Sequence, residues 1–123
     1  MRKVVLWEAE NGRLFYDREE CILYEILSVT DGKMSDGFSF RDDDGNEIDI
    51  IQVIKDMHYK NPHDSTILFK ALNFVQDITL SDYRDVRVMK MLKEYWGISL
   101  PEEIGVWYWS KINNEWIKKE KNQ

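Results

Sequence analysis

The sequence predicts a single α+β domain over residues 1–123, with about three helices packed on an antiparallel sheet built from hairpins and a frayed tail from about residue 118. Turn dipeptides separate short apolar runs at three places, and apolar residues recur at helical spacing at three others. No linker or repeat divides the chain, and its 123 residues, 43% of them hydrophobic, are enough for one modest core.

The first hairpin is predicted around Asn11-Gly12, because both central residues of a type I′ turn need positive φ. A two-residue turn there pairs Ala9 with Leu14 and Trp7 with Tyr16. This register gathers the apolar side chains on one face, which consists of Val5, Trp7, Ala9, Leu14 and Tyr16.

The first helix is predicted to begin after Asp17, a good N-cap residue, with Glu20 placed as the second member of a capping box. It should stop near Thr30. Cys21, the only cysteine, is placed to pack against Tyr16 as a hydrophobic staple. We interpret this thiol as a core group rather than a nucleophile, because the carboxylates beside it disfavour the thiolate.

A second hairpin is predicted in the acidic stretch that follows. A three-residue loop, Asp43-Asp44-Gly45, would align Phe38 and Phe40 with Ile48 and Ile50. Such a loop favours glycine at its last position, where the backbone is left-handed.

Two more helices and a strand are predicted in the middle of the chain. A short helix should end at Asn61-Pro62, with an inward face of Ile50, Ile51, Ile54 and Met57. Residues 65–75 are β-branched and aromatic, which favours a strand. The third helix should be capped by Ser81 or Asp82 and end at Gly97. Its predicted inward stripe is Tyr83, Val86, Met89 or Met91, Leu92 and Trp96.

The C-terminal hairpin is predicted around Asn113-Asn114, with Lys111 opposite Trp116 and Trp109 opposite Lys118. One face then carries Trp107, Trp109, Trp116, Lys111 and Lys118, and the other Val106, Tyr108, Ile112 and Ile117. In one interpretation, helices cover one side and lysine stems shield the tryptophans. In the alternative, the tryptophans form an exposed patch for self-association or for a partner.

Composition excludes several classes of protein. The net charge of −6 and the pI near 4.9 oppose direct binding to nucleic acid, which needs clustered lysine and arginine. A single cysteine excludes an intramolecular disulfide or a cysteine-based zinc cage. The first ten residues lack the apolar run of a signal peptide, and no stretch is apolar enough to span a membrane. We therefore expect a soluble cytoplasmic protein.

We expect no catalytic residue, no metal site and no cofactor. His58 and His63 lie five residues apart across the helix breaker Asn61-Pro62, whereas ligands on one helix prefer spacings of three or four. The stretch RDDDGNEID fails the EF-hand pattern, since counting back six positions from Gly45 gives Phe40. The nucleophile-elbow, zincin, P-loop and dinucleotide motifs are absent from the sequence.

Acidic residues are concentrated in positions 31–49, where seven acids accompany two basic residues for a local charge of −5. The acids are Asp31, Asp36, Asp42, Asp43, Asp44, Glu47 and Asp49. Such a surface can imitate nucleic-acid phosphates and bind a protein whose groove normally holds nucleic acid. The alternative is a solvated loop without a partner.

The opening stretch of the chain resembles small accessory proteins of bacteriophages and prophages of Gram-positive bacteria. The matching residues are Asn11-Gly12, Phe15, Glu19-Glu20-Cys21 and Tyr24-Glu25. The later run YWGISLPEEIGVWYW is also similar to phage small proteins. Many such proteins with an assigned role bind and neutralise host proteins, including CRISPR effectors, and the resemblance implies a related role in the host cytoplasm.

The sequence therefore predicts a non-enzymatic phage accessory protein that binds and inhibits a host protein, such as a nucleic-acid-binding defence protein. The candidate contact residues are Asp42, Asp43, Asp44, Glu47, Trp107, Trp109 and Trp116. The alternative is a small-ligand or nucleotide-binding module that acts as an oligomer, with aromatic side chains stacked on a base. Homo-oligomerisation through the C-terminal hairpin fits either function, and an enzyme ranks third.

Overall fold

A computed structural model describes residues 3–64, 66, 75–97 and 99–119 of the chain. These residues form three helices and two antiparallel sheets, which confirms the predicted α+β class. The helices are α1, Arg18–Thr30, α2, Ile50–Lys60, and α3, Tyr83–Trp96.

The larger sheet has four strands in the order β3-β4-β5-β6, and every neighbouring pair is antiparallel. Its strands are β3, Ser39–Asp42, β4, Val75–Leu80, β5, Gly105–Ser110, and β6, Glu115–Lys118. The first hairpin forms a separate two-stranded sheet from β1, Trp7–Glu8, and β2, Leu14–Phe15. The second predicted hairpin therefore contributes β3 to the larger sheet and the third contributes β5 and β6, while β4 lies between them.

One core joins all three helices to one face of the larger sheet. The helices supply leucine, isoleucine, valine and methionine side chains to this core. The sheet supplies Phe40, Ile78 and Leu80, whose side chains are fully buried. Because each amphipathic element has a single apolar face, packing the helices on this sheet buries them together. A smaller cluster of Ala9, Phe15 and Cys21 attaches the first hairpin to α1.

The first hairpin has a different register from the predicted one. Trp7 pairs with Phe15, and the amide of Ala9 donates to the carbonyl of Arg13 at 2.9 Å, so the loop has three residues, with Gly12 at φ +89°. A register change of one residue reverses the faces of a strand. Phe15 is accordingly buried, whereas Tyr16 is 77% exposed, so the predicted apolar face is wrong apart from Ala9.

Asp17 precedes α1 as predicted, but its side chain makes no capping hydrogen bond. Its Oδ2 instead lies 3.2 Å from Nε2 of His63. Cys21 is buried in the cluster with Phe15, so the staple to Tyr16 is wrong, while the core location of the thiol is confirmed. The helix ends at Thr30 as predicted, followed by Asp31 in the left-handed conformation.

The second hairpin forms around the predicted three-residue loop. Gly45 has φ +82°, and the amide of Ile48 donates to the carbonyl of Phe40 at 2.8 Å. The returning arm makes only one bridge, between Arg41 and Glu47, because the chain turns into α2 at Ile50. The inward residues predicted for α2, Ile50, Ile51, Ile54 and Met57, are all buried, and the helix ends at Lys60 before Asn61.

The predicted strand over residues 65–75 lies almost wholly outside the described residues, and Val75 begins β4, which continues to Leu80. Asp82 caps α3 and Gly97 ends it at φ +78°, both as predicted, and Asp82 also forms a full capping box with Asp85. The predicted inward Tyr83 is wrong, because this side chain is 82% exposed.

The C-terminal hairpin pairs Trp109 with Trp116 and Trp107 with Lys118, around a four-residue turn, Lys111 to Asn114. The register therefore differs from the predicted one by two residues, which leaves every strand side chain on its predicted face. Lys118 belongs to β6, and the amide of Lys119 donates to the carbonyl of Val106 at 2.7 Å, so the frayed-tail prediction is wrong at these two positions. Residues 120–123 lie outside the described residues.

Candidate functional site

The acidic loop, residues 42–47, carries carboxylates with two different roles. The Asp42 carboxylate accepts hydrogen bonds from the amides of Asp44 and Asn46, both at 2.9 Å, and so stabilises the turn itself. The side chains of Asp43, Asp44 and Glu47 lie on the surface, and within the described residues no basic group forms an ion pair with them. These three carboxylates are therefore available to a partner.

Beside this loop lies a groove of about 330 Å³, which we call the acidic groove. One wall is the segment between α1 and β3, and the other is the end of the acidic loop with the first turns of α2. The lining residues are Gly32, Lys33, Met34, Ser35, Asp36, Phe38, Glu47, Ile48, Asp49, Ile50, Ile51, Gln52 and Lys55. The groove thus combines apolar side chains with three carboxylates and two lysines.

A fully buried carboxylate holds one wall of the acidic groove in place. Asp85 accepts hydrogen bonds from the Ser35 amide at 3.1 Å, the Ser35 hydroxyl at 2.6 Å and the Ser81 amide at 2.9 Å. Burial alone would raise the pKa of the Asp85 carboxyl, but these bonds and one from the Asp82 amide outweigh it and hold that pKa below its ordinary value. The buried charge is compensated by hydrogen bonds, and it fixes Ser35 to the start of α3.

Gly37 allows the wall to approach α3 closely. A Cβ atom at this position would lie 2.6 Å from Oγ and 2.7 Å from Cβ of Ser81. The hydroxyl oxygens of Ser35 and Ser81 are themselves 2.6 Å apart. The sequence signals the capping role of Asp85 but carries no signal for its burial or for its contact with Ser35, 50 residues away.

The tryptophans of the C-terminal hairpin lie on the helix side of the sheet. Trp107 and Trp116 are half-buried and pack against the core, and their indole N–H groups donate to the carbonyls of Glu103 at 3.0 Å and Ser99 at 3.3 Å. Trp109 meets Trp116 edge to face, with ring centroids 5.4 Å apart. The helices therefore lie on the tryptophan side of the sheet, and the core partly covers Trp107 and Trp116.

Lysine shielding of the tryptophans is also present, since Nζ of Lys118 lies 5.9 Å from the ring centroid of Trp107. Val106, Tyr108 and Ile117 occupy the opposite face. The acidic loop follows β3 and the tryptophans belong to β5 and β6, at the other edge of the sheet, so the two candidate surfaces are separate. Self-association through the hairpin stays a prediction.

The surroundings of Cys21 favour a structural role for this thiol over a nucleophilic one. Burial, followed by the charges of Glu25 and Glu94, raises the pKa of the Cys21 thiol, so the thiol form dominates at neutral pH. Within the described residues, no group of three or more histidine, cysteine, aspartate or glutamate side chains is arranged to hold a metal ion. None of the described helices has the length and apolar character needed to cross a membrane.

Comparison with family models, with curated proteins and with solved structures found no match to this chain. The resemblance to phage accessory proteins stays a prediction that rests on the residues quoted for it.

Proposed function

We propose that this chain is a non-enzymatic accessory protein that binds a protein partner through the acidic loop and the acidic groove. The observation that carries the proposal is the set of unpaired surface carboxylates beside a groove with apolar side chains. The resemblance to phage proteins makes a host protein the proposed partner, and inhibition of that host protein the proposed outcome.

The composition of the groove defines the partner. The groove lining carries three carboxylates against two lysines, and with the unpaired Asp43 and Asp44 beside it this excess of negative charge favours a positively charged partner surface. The half-exposed ring of Phe38 favours an apolar side chain seated between those charges. Charge complementarity mainly accelerates association, and the desolvated apolar contact mainly slows dissociation. A basic segment with one protruding apolar residue satisfies both requirements, and a nucleic-acid-binding protein is a natural source of such a segment.

The chemistry of the described polar groups supports binding rather than catalysis. Ser35 donates to Asp85, but that carboxylate has a lowered pKa and is saturated with hydrogen bonds, which makes it a weak general base. Cys21 is buried as a thiol. Neither group is an activated nucleophile.

The test is capture of the partner from a host lysate with three purified proteins: the natural chain, the double variant Asp43→Lys/Asp44→Lys and a matched control, Glu8→Lys/Glu115→Lys. Both double variants change the net charge equally, and all four residues are exposed. We expect the control to retain the partner and the acidic-loop variant to bind at least about ten times more weakly, by loss of two charge-assisted contacts. Equal binding by the two variants, or no protein captured by the natural chain, would overturn the proposal.

Salt dependence gives an independent measure of the same contact. Affinity for the captured partner should fall steeply between low and high NaCl for the natural chain, and less steeply for the acidic-loop variant, since fewer charges then contribute. Competition by a duplex DNA for the partner would identify that partner surface as a nucleic-acid groove. If the natural chain and the variant show the same salt slope, the loop does not contact the partner.

A further inference from the structure

A second groove lies at the other end of α2, where the first hairpin meets α1. It has a volume of about 320 Å³, within the range of small-molecule sites, about 300–1,000 Å³. We call it the aromatic groove, and its lining residues are Arg13, Tyr24, Leu27, Ser28, His58 and Tyr59. It shares no lining residue with the acidic groove.

The turn of the first hairpin positions the cationic side of the aromatic groove. The Asn11 side chain accepts a hydrogen bond from the Arg13 amide at 3.1 Å and donates another to the Tyr24 hydroxyl at 2.5 Å. The Arg13 guanidinium then lies over two rings, 4.9 Å from the centroid of Tyr24 and 5.3 Å from that of Phe15. These cation–π contacts hold the guanidinium beside the groove without occupying its N–H groups, which are hydrogen-bond donors.

Arg13 has no anionic partner among the described residues, unlike two other arginines. Arg18 pairs with Glu94, and Arg87 pairs with Glu10. Across the described parts of the chain, no carboxylate lies within ion-pair distance of Arg13, and its side chain makes no hydrogen bond. In a chain with a net charge of −6, a guanidinium held in place beside a cavity without a carboxylate is suited to an external anion.

Three rings line the remainder of the aromatic groove. The ring centroid of His58 lies 6.1 Å from that of Tyr24 and 4.9 Å from that of Tyr59, the latter pair edge to face at 72°. Tyr59 is 77% exposed, so its ring is available for stacking without rearrangement of the core. Aromatic side chains stack on every nucleobase, since each base has a π-face.

His58 contributes a neutral ring with unused hydrogen-bonding capacity. Its Nδ1 is enclosed and has no hydrogen-bond partner. Burial lowers the pKa of the imidazole, while Glu20 opposes this shift and Arg13 adds to it, so the ring is uncharged at neutral pH. An uncharged imidazole adds aromatic surface to the groove without placing a second cation beside the guanidinium.

We propose that the aromatic groove binds a nucleoside monophosphate, with the base stacked on the exposed ring of Tyr59, the edge of the base against His58 and the phosphate held by Arg13. A guanidinium binds phosphate oxygens through two parallel hydrogen bonds, which fixes the orientation of the ligand. The volume suits one nucleotide rather than a strand. Exposed carboxylates beyond about 8–10 Å oppose the phosphate only weakly, because they are screened at physiological salt, whereas Glu20, whose charge acts on His58, opposes it more directly.

The test measures binding of 5′-AMP, adenosine and inorganic phosphate to the full chain by calorimetry. We expect 5′-AMP to bind, and adenosine and phosphate each to bind at least about ten times more weakly, because each makes only half of the contacts. Addition of 5′-AMP should also shift the imidazole NMR signals of His58 but not those of His63. No binding of 5′-AMP at millimolar concentration, or equal binding of adenosine, would overturn the proposal.

Two variants and two matched controls locate the site. Arg13→Gln and Tyr59→Ala should each weaken 5′-AMP binding about tenfold, by loss of a charged hydrogen bond and of a stacking surface. Arg84→Gln and Tyr83→Ala change the same residue types at exposed positions on α3 and should leave binding unchanged. Tyr59 is exposed, so its variant is informative even if Arg13→Gln disturbs the hairpin. Unchanged affinity in Tyr59→Ala would place any nucleotide elsewhere and contradict the proposal.

Discussion

The first and the last hairpins of this protein both consist of apolar runs around a turn that contains asparagine. In both, the observed register differs from the predicted one, but only in the first does the difference change which side chains are buried. In the first, the register differs by one residue from the expected one, and the buried aromatic is Phe15 instead of Tyr16. In the last, it differs by two residues, and the same tryptophans face the helices. Because side chains alternate along a strand, only an odd register change exchanges the buried and exposed faces.

The largest effect should come from the buried side chain of the first hairpin. Phe15→Ala removes a ring that is enclosed by Ala9 and Cys21, and it should lower the free energy of unfolding by about 3 kcal/mol. Leu14→Ala, at the adjacent exposed position, should change it by less than about 0.5 kcal/mol. Urea unfolding of both variants tests the observed register. A larger loss of stability in Leu14→Ala than in Phe15→Ala would contradict the observed three-residue loop and favour the predicted two-residue turn.

The last hairpin should show a smaller loss at its half-buried aromatic pair. Trp116→Ala removes both core packing and the edge-to-face contact with Trp109, and we expect a loss of about 2 kcal/mol. Ile112→Ala lies in the turn at a fully solvated position and serves as the control. If thermal unfolding shows no difference between these two variants, the tryptophan face is not covered by the helices.

A side chain at position 12 should destabilise the turn of the first hairpin because of the backbone conformation there. Gly12 has φ +89°, and no atom closer than the Glu8 carboxylate, at 4.0 Å, restricts the space around it. Gly12→Ala should therefore cost about 1 kcal/mol through strain alone. Gly12→Asn, which tolerates positive φ better, should recover part of that loss in the same unfolding experiment, and equal losses for both variants would contradict the strain argument.

The smallest effect should be a pH dependence confined to the first hairpin. The pKa of Cys21 is raised from an ordinary value of 9.0, so the folded state favours the protonated thiol. The stability that this thiol contributes is complete below pH 9.0 and is lost as the pH rises from there through the folded-state pKa. After correction for the base-catalysed intrinsic exchange rate, the protection of the Ala9 amide should fall over this window in the natural chain but not in Cys21→Ala, whereas a fall in both proteins would assign the effect to other groups.

Local signals in the sequence predicted the ends of the helices and the three-residue loop. Asp82, Gly97 and Gly45 act through their own backbone or through residues three or four positions away, so one sequence contains all the information needed. The inward face of α2 was predictable for the same reason, because a period of 3.6 residues is visible within eleven.

Features that depend on distant residues could not be predicted in this way. Tyr83 fits the apolar period of α3, but it lies in the first turn, beyond the reach of the core, and is exposed. The acidic groove needs the contact between Ser35 and Asp85 across 50 residues, and the aromatic groove needs Arg13 to meet α2. The register of each hairpin was ambiguous because turns of two, three and four residues all accept asparagine or glycine.

The close approach of Gly37 to Ser81 also has a consequence for how sequences related to this one can diverge. A side chain at position 37 would displace Ser81, and Asp85 would then lose donors while remaining buried. The two positions should therefore covary, with any larger residue at 37 accompanied by glycine at 81, because alanine would keep the Cβ atom that lies too close. The carboxylates at 43 and 44 carry no such coupling, so the charge of the surface can change from one homologue to the next while the wall behind it stays fixed.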